Sequence, residues 1–231
     1  YKSKKFIISL VMALSMSMMI GLVSQNMTMA EEIETVEMCG CLPEDPETVK
    51  SLLLNYDDIF EEDSMLYYDE HEPPKRTVDL QTKFPKPGNQ GKQNSCTAWA
   101  VAYGLKSYQE GLEHGYNPYE NQAGRFSPSY IYNQIDNGMN LGSNIGTVME
   151  KVMKTGVCPM NIMPYNENDS KTQPNSYQRE IASNFKSNFK KEIIKPNEID
   201  SKSELYGYIE ARKPFIKRLL SSGIPVCVSI D

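Results

Sequence analysis

Histidine and tryptophan are scarce in this chain of 231 residues: it holds His71, His114 and Trp99 and no others. It has no internal repeat and no low-complexity tract, so one non-repetitive domain with a leader accounts for the length. Hydrophobic residues at 39% and charged ones at 23% exclude collagen-like, coiled-coil and wholly disordered classes. No cluster interleaves basic and aromatic residues, so nothing supports a nucleic-acid partner. The formal charge is only -6, but that average conceals three regions. Residues 1–30 carry +3, residues 31–72 carry -14 and residues 73–231 carry +5.

The basic tip is Lys2, Lys4 and Lys5, followed by the apolar run Phe6–Val23 and by Thr28-Met29-Ala30. A charged start, an apolar stretch and small residues before a break predict a secretory signal peptide over 1–30, cut after Ala30. The competing reading is a retained membrane anchor, for which the run is barely long enough and interrupted by Ser9, Ser15 and Ser17. Tyr1 in place of an initiator methionine suggests an N-terminus that is cut short. The chain is therefore read as secreted, touching a membrane only through an uncleaved signal segment.

Export places five cysteines in an oxidising setting, an odd number that leaves at least one thiol unpaired within the monomer. Cys39-Gly40-Cys41 is too tight for an easy mutual bridge and lacks the spacing of a zinc site, so it reads as a pair of linker cysteines. Residues 31–75 are acidic and end at Glu72-Pro73-Pro74. They are either a solvated spacer or a pro-segment whose charge docks on the basic body. A short helix is expected over about Pro46–Leu54.

The body, 76–231, is mostly helical by its punctuation. Pro85-Lys86-Pro87-Gly88 forces an irregular loop. Asn94 is the expected N-cap of a helix over Ser95–Gln109 that ends near Gly111, with Trp99, Ala102 and Tyr103 on its buried side. Ser127-Pro128 opens a helix over Ser129–Ile135. Thr147 and Glu150 read as a capping box before Val148, Met149, Val152 and Met153, with Gly156 as the stop. Ile181, Phe185 and Phe189 form another helical stripe, and Pro214 starts a helix that Gly223 ends. Val226, Val228 and Ile230 then alternate with Cys227 and Ser229, which reads as a strand.

The chemistry concentrates in Asn89-Gln90-Gly91-Lys92-Gln93-Asn94-Ser95-Cys96-Thr97-Ala98-Trp99. A polar loop here delivers Cys96 to the first turn of a helix, where backbone amides and the helix dipole favour thiolate. That is one way to activate a nucleophile. Gln90 can bring a side-chain amide back to the same point and, with the Cys96 N–H, form an oxyanion hole. The bland alternative is a small buried hydrophobe on a helix.

This stretch resembles the active-site segment of papain-family cysteine peptidases, bacterial branch, through Gln90, Gly91, Ser95, Cys96, Ala98 and Trp99. Val78-Asp79-Leu80, Phe126–Tyr132, Asn144-Ile145-Gly146, Met163-Pro164-Tyr165 and Gly223–Val226 resemble further family segments in the same order. The resemblance covers about 77–231. It implies an α+β papain-like fold of which this chain carries the helical left domain and the first strand of the β-rich right domain. It also implies peptide-bond hydrolysis with no metal or cofactor, on a peptide or protein substrate.

Cys96 would be the nucleophile, Gln90 the oxyanion donor, and Asn144 with Gly146 would hold the substrate backbone. Gln93, Thr97 and Ile145 depart from the family pattern, and Ile145 puts the substrate shelf in question. The resemblance also requires a His, which neither His71 nor His114 is placed to be, so the chain reads as a fragment. The alternative is a catalytically inactive papain-like surface adhesin or interaction module. Lys75-Arg76 is the site where removal of the acidic segment would activate a zymogen.

Overall fold

The computed structural model describes residues 11–13, 41–42, 75–187, 193–194 and 202–229. Helices dominate these residues and the strands are few and short. His71, Cys39, Phe189 and the expected helix near Pro46–Leu54 lie outside them.

The central feature is a continuous helical run. It opens as α1 (Cys96–Ala98), rewinds as a π segment (Trp99–Lys106) and returns to α geometry in α2 (Ser107–His114). Within the π segment each N–H reaches one residue further back than in an α-helix, a winding that apolar periodicity does not announce. Val101, Ala102 and Leu105 point from it into the core. The run passes Gly111 and ends where Gly115 turns left-handed at φ 70°. Gly111 serves packing instead: a Cβ there would stand 2.8 Å from both Pro118 Cδ and the Tyr116 carbonyl oxygen.

Asn94 does not cap this run. Ser95 is the N-cap residue, and the Asn94 side chain donates to the Asn140 carbonyl at 2.8 Å. The next helix, α3 (Pro128–Asp136), starts as expected, with the Ser127 hydroxyl accepting from the Tyr130 N–H. Helix α4 (Ile145–Thr155) begins three residues before the expected capping box, because Asn144 caps it first. Val148, Met149 and Val152 are buried on one face, but Met153 is 39% exposed. Gly156 ends the helix. In α5 (Ser176–Ala182) Asn175 and Gln178 form a reciprocal capping box, and Phe185 lies beyond the helix end.

Helix α6 (Lys202–Ser221) contains Pro214 in its interior, so Pro214 does not open it. Strand β3 (Cys227–Ser229) follows Gly223. Its inward residue is Cys227, at 6% exposure, whereas Val228 is 48% exposed. β1 (Val11–Ala13) is the centre of a parallel sheet ordered β2-β1-β3, with β2 at Ile193–Ile194. Val11 pairs with both Ile193 and Cys227. The apolar run read as a leader thus supplies the middle strand.

The core joins the π segment, α3, α4 and the end of α6 through residues such as Leu105, Ile131, Val148 and Leu219. It fixes the helical run against α4, and that contact sets the position of Cys96.

Candidate active site

Cys96 is half-buried at the head of the helical run, and the loop before it is held at three points. Asn89 Oδ1 accepts from the Gly91 N–H at 2.8 Å, closing a local turn. Glu167 Oε2 accepts from the Lys92 N–H at 2.9 Å. Gly91 has φ 59°, and a Cβ on it would fall 1.3 Å from that carboxylate oxygen, so another residue there would be strained and would displace Glu167.

The third hold is Tyr165. Its hydroxyl donates to the Gln90 carbonyl at 2.7 Å and pairs with Ser95 Oγ at 2.8 Å. A phenol has one hydrogen, which goes to Gln90, so Ser95 donates to Tyr165. Gln90 and the residue before Cys96 are thereby bracketed by one side chain. The Tyr165 ring meets Trp99 edge-on at 4.8 Å, and Trp99 packs on Tyr103 at 4.7 Å. Beside this aromatic group, Gln90, Asn89 and Gly88 line an open cleft of about 410 Å³.

On the other side of the helix start stands the loop 137–143. The Asn140 side-chain oxygen accepts from the Asn94 N–H at 2.8 Å and from the Tyr132 hydroxyl at 3.1 Å. Asp136 anchors this loop by accepting from the N–H groups of Asn140 at 2.7 Å and Leu141 at 2.8 Å. Burial alone would raise the Asp136 carboxyl, but these amides, with Ser170 and Tyr132, hold it below its ordinary value. Thr97 Oγ1 and Ser143 Oγ share a buried hydrogen bond of 2.5 Å.

Asn144 and Gly146 sit just past that bond. Asn144 Oδ1 accepts from the Thr147 N–H at 2.7 Å, so its side chain caps α4. Gly146 is buried in the first turn. The backbone group that takes an extended segment is the Ser143 carbonyl, which accepts from the Leu42 N–H at 3.0 Å, while Cys41 and Ser143 form a parallel bridge. Sequence reasoning passed over Ser143, Asn140 and Asp136. Asn140 and Ser143 act through pairings across 46 residues, which leave no local pattern, whereas Asp136 caps N–H groups only four and five residues on.

His114 lies at the far end of the helical run, roughly 25 Å along the axis from Cys96 at the ordinary helical rise. Its Nε2 is 3.1 Å from Glu110, and its side chain is 61% exposed. Glu110, Glu113 and His114 offer ligand atoms within 4.8 Å of one another. The ammonium of Lys106 already neutralises Glu110 there. Two other thiols are insulated: burial pushes Cys158 up to about 11. Cys227 is pushed up to about 12 by burial first, and then by the charges of Cys41 and Cys96.

No protein-family model matches this chain, and no curated protein matches it. A solved structure, the cysteine protease xylellain from Xylella fastidiosa, is a structural neighbour at 21% identity with a TM-score of 0.38. The match covers 50% of this chain and 52% of that one, so the chain spans about half the length of xylellain. A likeness of that extent transfers no residue roles, and the reading of the site rests on its own geometry.

Proposed function

We propose that this chain carries the thiol side of an exported papain-like cysteine peptidase. One observation carries the reading. Tyr165 ties the Gln90 carbonyl to Ser95, so the amide-bearing loop and the head of the Cys96 helix form one rigid unit. That is the arrangement an oxyanion hole beside a nucleophile requires.

In the reaction, Cys96 Sγ attacks the carbonyl carbon of the scissile amide and its proton passes to a base. The tetrahedral oxyanion is met by the Gln90 side-chain amide and the Cys96 N–H. The amine leaves with a proton, a thioester remains on Cys96, and water hydrolyses it. Asn144 and Gly146 flank the substrate backbone through the Ser143 edge. His114 is not that base, since it lies at the other end of the helical run.

Residues 31–75 act in this reading as a pro-segment. The pairing of Cys41 and Leu42 with Ser143 supports it, as does the exposure of Lys75 and Arg76 to a processing protease. Cleavage after Ala30 would remove β1, leaving β3 without that neighbour.

The test uses the full-length protein. A peptide-like thiol-alkylating probe should label Cys96, and Cys96→Ala should abolish hydrolysis of an unfolded protein substrate with circular dichroism unchanged. Hydrolysis that survives Cys96→Ala, or equal labelling of Cys158 and Cys227, overturns the assignment. Cutting at Lys75-Arg76 should raise activity, and an unchanged rate removes the pro-segment role.

A further inference from the structure

The segment that pairs with Ser143 brings a second sulfur to the Cys96 helix. Cys41 bridges Ser143, Leu42 donates to the Ser143 carbonyl at 3.0 Å, and the Ser143 hydroxyl bonds to Thr97, the residue after Cys96. Cys41 also packs against the core cluster that contains Cys227. The charges of Cys41 and Cys96 both bear on Cys227, in keeping with the path from Cys41 through Ser143 to Thr97.

The three differ in what they can do. Cys227 is 6% exposed and its thiol is pushed up to about 12, so at neutral pH it holds its proton and exchanges slowly. Cys41 and Cys96 are both half-buried and reachable. Exchange chemistry at this locality therefore belongs to that pair.

We infer that Cys41 and Cys96 close a reversible disulfide that latches residues 41–42 over the head of the Cys96 helix. This deepens the reading of Cys96 as a reactive thiol and rests on it. The oxidant is a small-molecule disulfide of the glutathione kind. Cys41 thiolate attacks one of its sulfurs, forming a mixed disulfide and releasing one thiolate. Cys96 thiolate then attacks the Cys41 sulfur, the mixed disulfide breaks, and the second small thiolate leaves. The two protons of the cysteine thiols end on the two released thiols, and the small disulfide is reduced. Excess small thiol reverses both steps. While the bridge is closed, Cys96 has no thiolate to direct at a carbonyl and the Ser143 carbonyl stays occupied. An exported protein exposed to an oxidising medium is thus held inactive until a reductant or a local thiol opens it.

The experiment treats the full-length protein with oxidised glutathione and maps its disulfides by mass spectrometry without reduction. The wild type should lose two hydrogens without retaining an adduct and yield a Cys41–Cys96 cross-linked peptide. Its rate of iodoacetamide labelling at Cys96 should fall about tenfold or more and recover with dithiothreitol. Cys41→Ser should instead keep a glutathione adduct on Cys96, and Cys227→Ser should behave as the wild type does. A bridge that maps to Cys39–Cys41 or Cys96–Cys227, or a glutathione adduct that persists on Cys96 in the wild type, overturns the latch. Failure of the underlying reading shows separately, as a reduced wild type whose Cys96 labels no faster than Cys158.

Discussion

The hydroxyl of Tyr165 donates to the backbone carbonyl of Gln90 at 2.7 Å, across 75 residues of sequence. The same oxygen receives the Ser95 hydroxyl at 2.8 Å, so its removal orphans two groups at once. Tyr165→Phe should lower stability by about 1–3 kcal/mol, read as a shift in the urea midpoint. A Tyr165 that acts by positioning the Gln90 loop predicts a variant that loses kcat with KM little changed. A KM effect with kcat intact would assign Tyr165 to substrate binding instead. Gln90→Ala, which removes the proposed donor itself, should lower kcat about 10²–10³-fold.

Thr97 and Ser143 hold the helix head to the loop before α4. Both side chains are buried, at 2% and 3% exposure, and each is the other's hydroxyl partner. Thr97→Val leaves the Ser143 hydroxyl without that partner and should cost about 1–3 kcal/mol. The double variant Thr97→Val with Ser143→Ala should recover most of the loss, since removing both partners removes the orphan. If the double variant is no more stable than the single one, the cost lies in packing and not in the hydrogen bond.

Local signals carried the helix boundaries that depend on backbone chemistry at one point. Ser127-Pro128 starts α3 and Gly156 stops α4, because an N-cap hydroxyl and a left-handed glycine act within a few residues. Signals that need a distant partner misled. Gly111 looked like a stop, yet it exists to let Tyr116 and Pro118 approach the helix. Asn94 looked like a cap, yet Asn140 takes both its N–H groups. The strand was legible in the alternation of Val226 and Val228, but alternation does not say which face the core takes, and it takes Cys227. At the site, the position of Cys96 on a helix head was legible. The Tyr165 bracket and the Ser143 edge were not, since both are made by contacts far apart in the chain.

Cys158 and Cys227 make a pH experiment informative. Their thiols are raised from an ordinary 9.0 to about 11 and about 12, chiefly by burial. Alkylation of either should stay slow at neutral pH and accelerate only as pH approaches those values. A folded-state value above the unfolded one contributes stability that is complete below about pH 9 and is lost as pH rises through the folded value. The melting temperature of the wild type should therefore decline above about pH 9, and Cys158→Ala should flatten part of that decline. A Cys158 that alkylates readily at pH 7 would contradict its burial.

The ion pair of Lys106 and Glu110 is nearly closed to solvent, with side-chain exposures of 0% and 4%. The Lys106 ammonium also donates to the Lys186 carbonyl at 3.0 Å. Burial lowers the Lys106 value, and Glu110, which opposes that shift, does not cancel it. With a folded value below the unfolded one, the charged lysine weighs against folding at neutral pH, and that cost lifts as pH rises toward 10.5. Glu110→Gln removes the charge that offsets it and should destabilise the protein by about 3–5 kcal/mol. Lys106→Met together with Glu110→Met should cost far less, because no uncompensated charge stays in the interior. Urea unfolding of the two variants decides the matter. A double variant as unstable as the single one would make the pair a net source of stability, and the helical run bearing Cys96 would then depend on it.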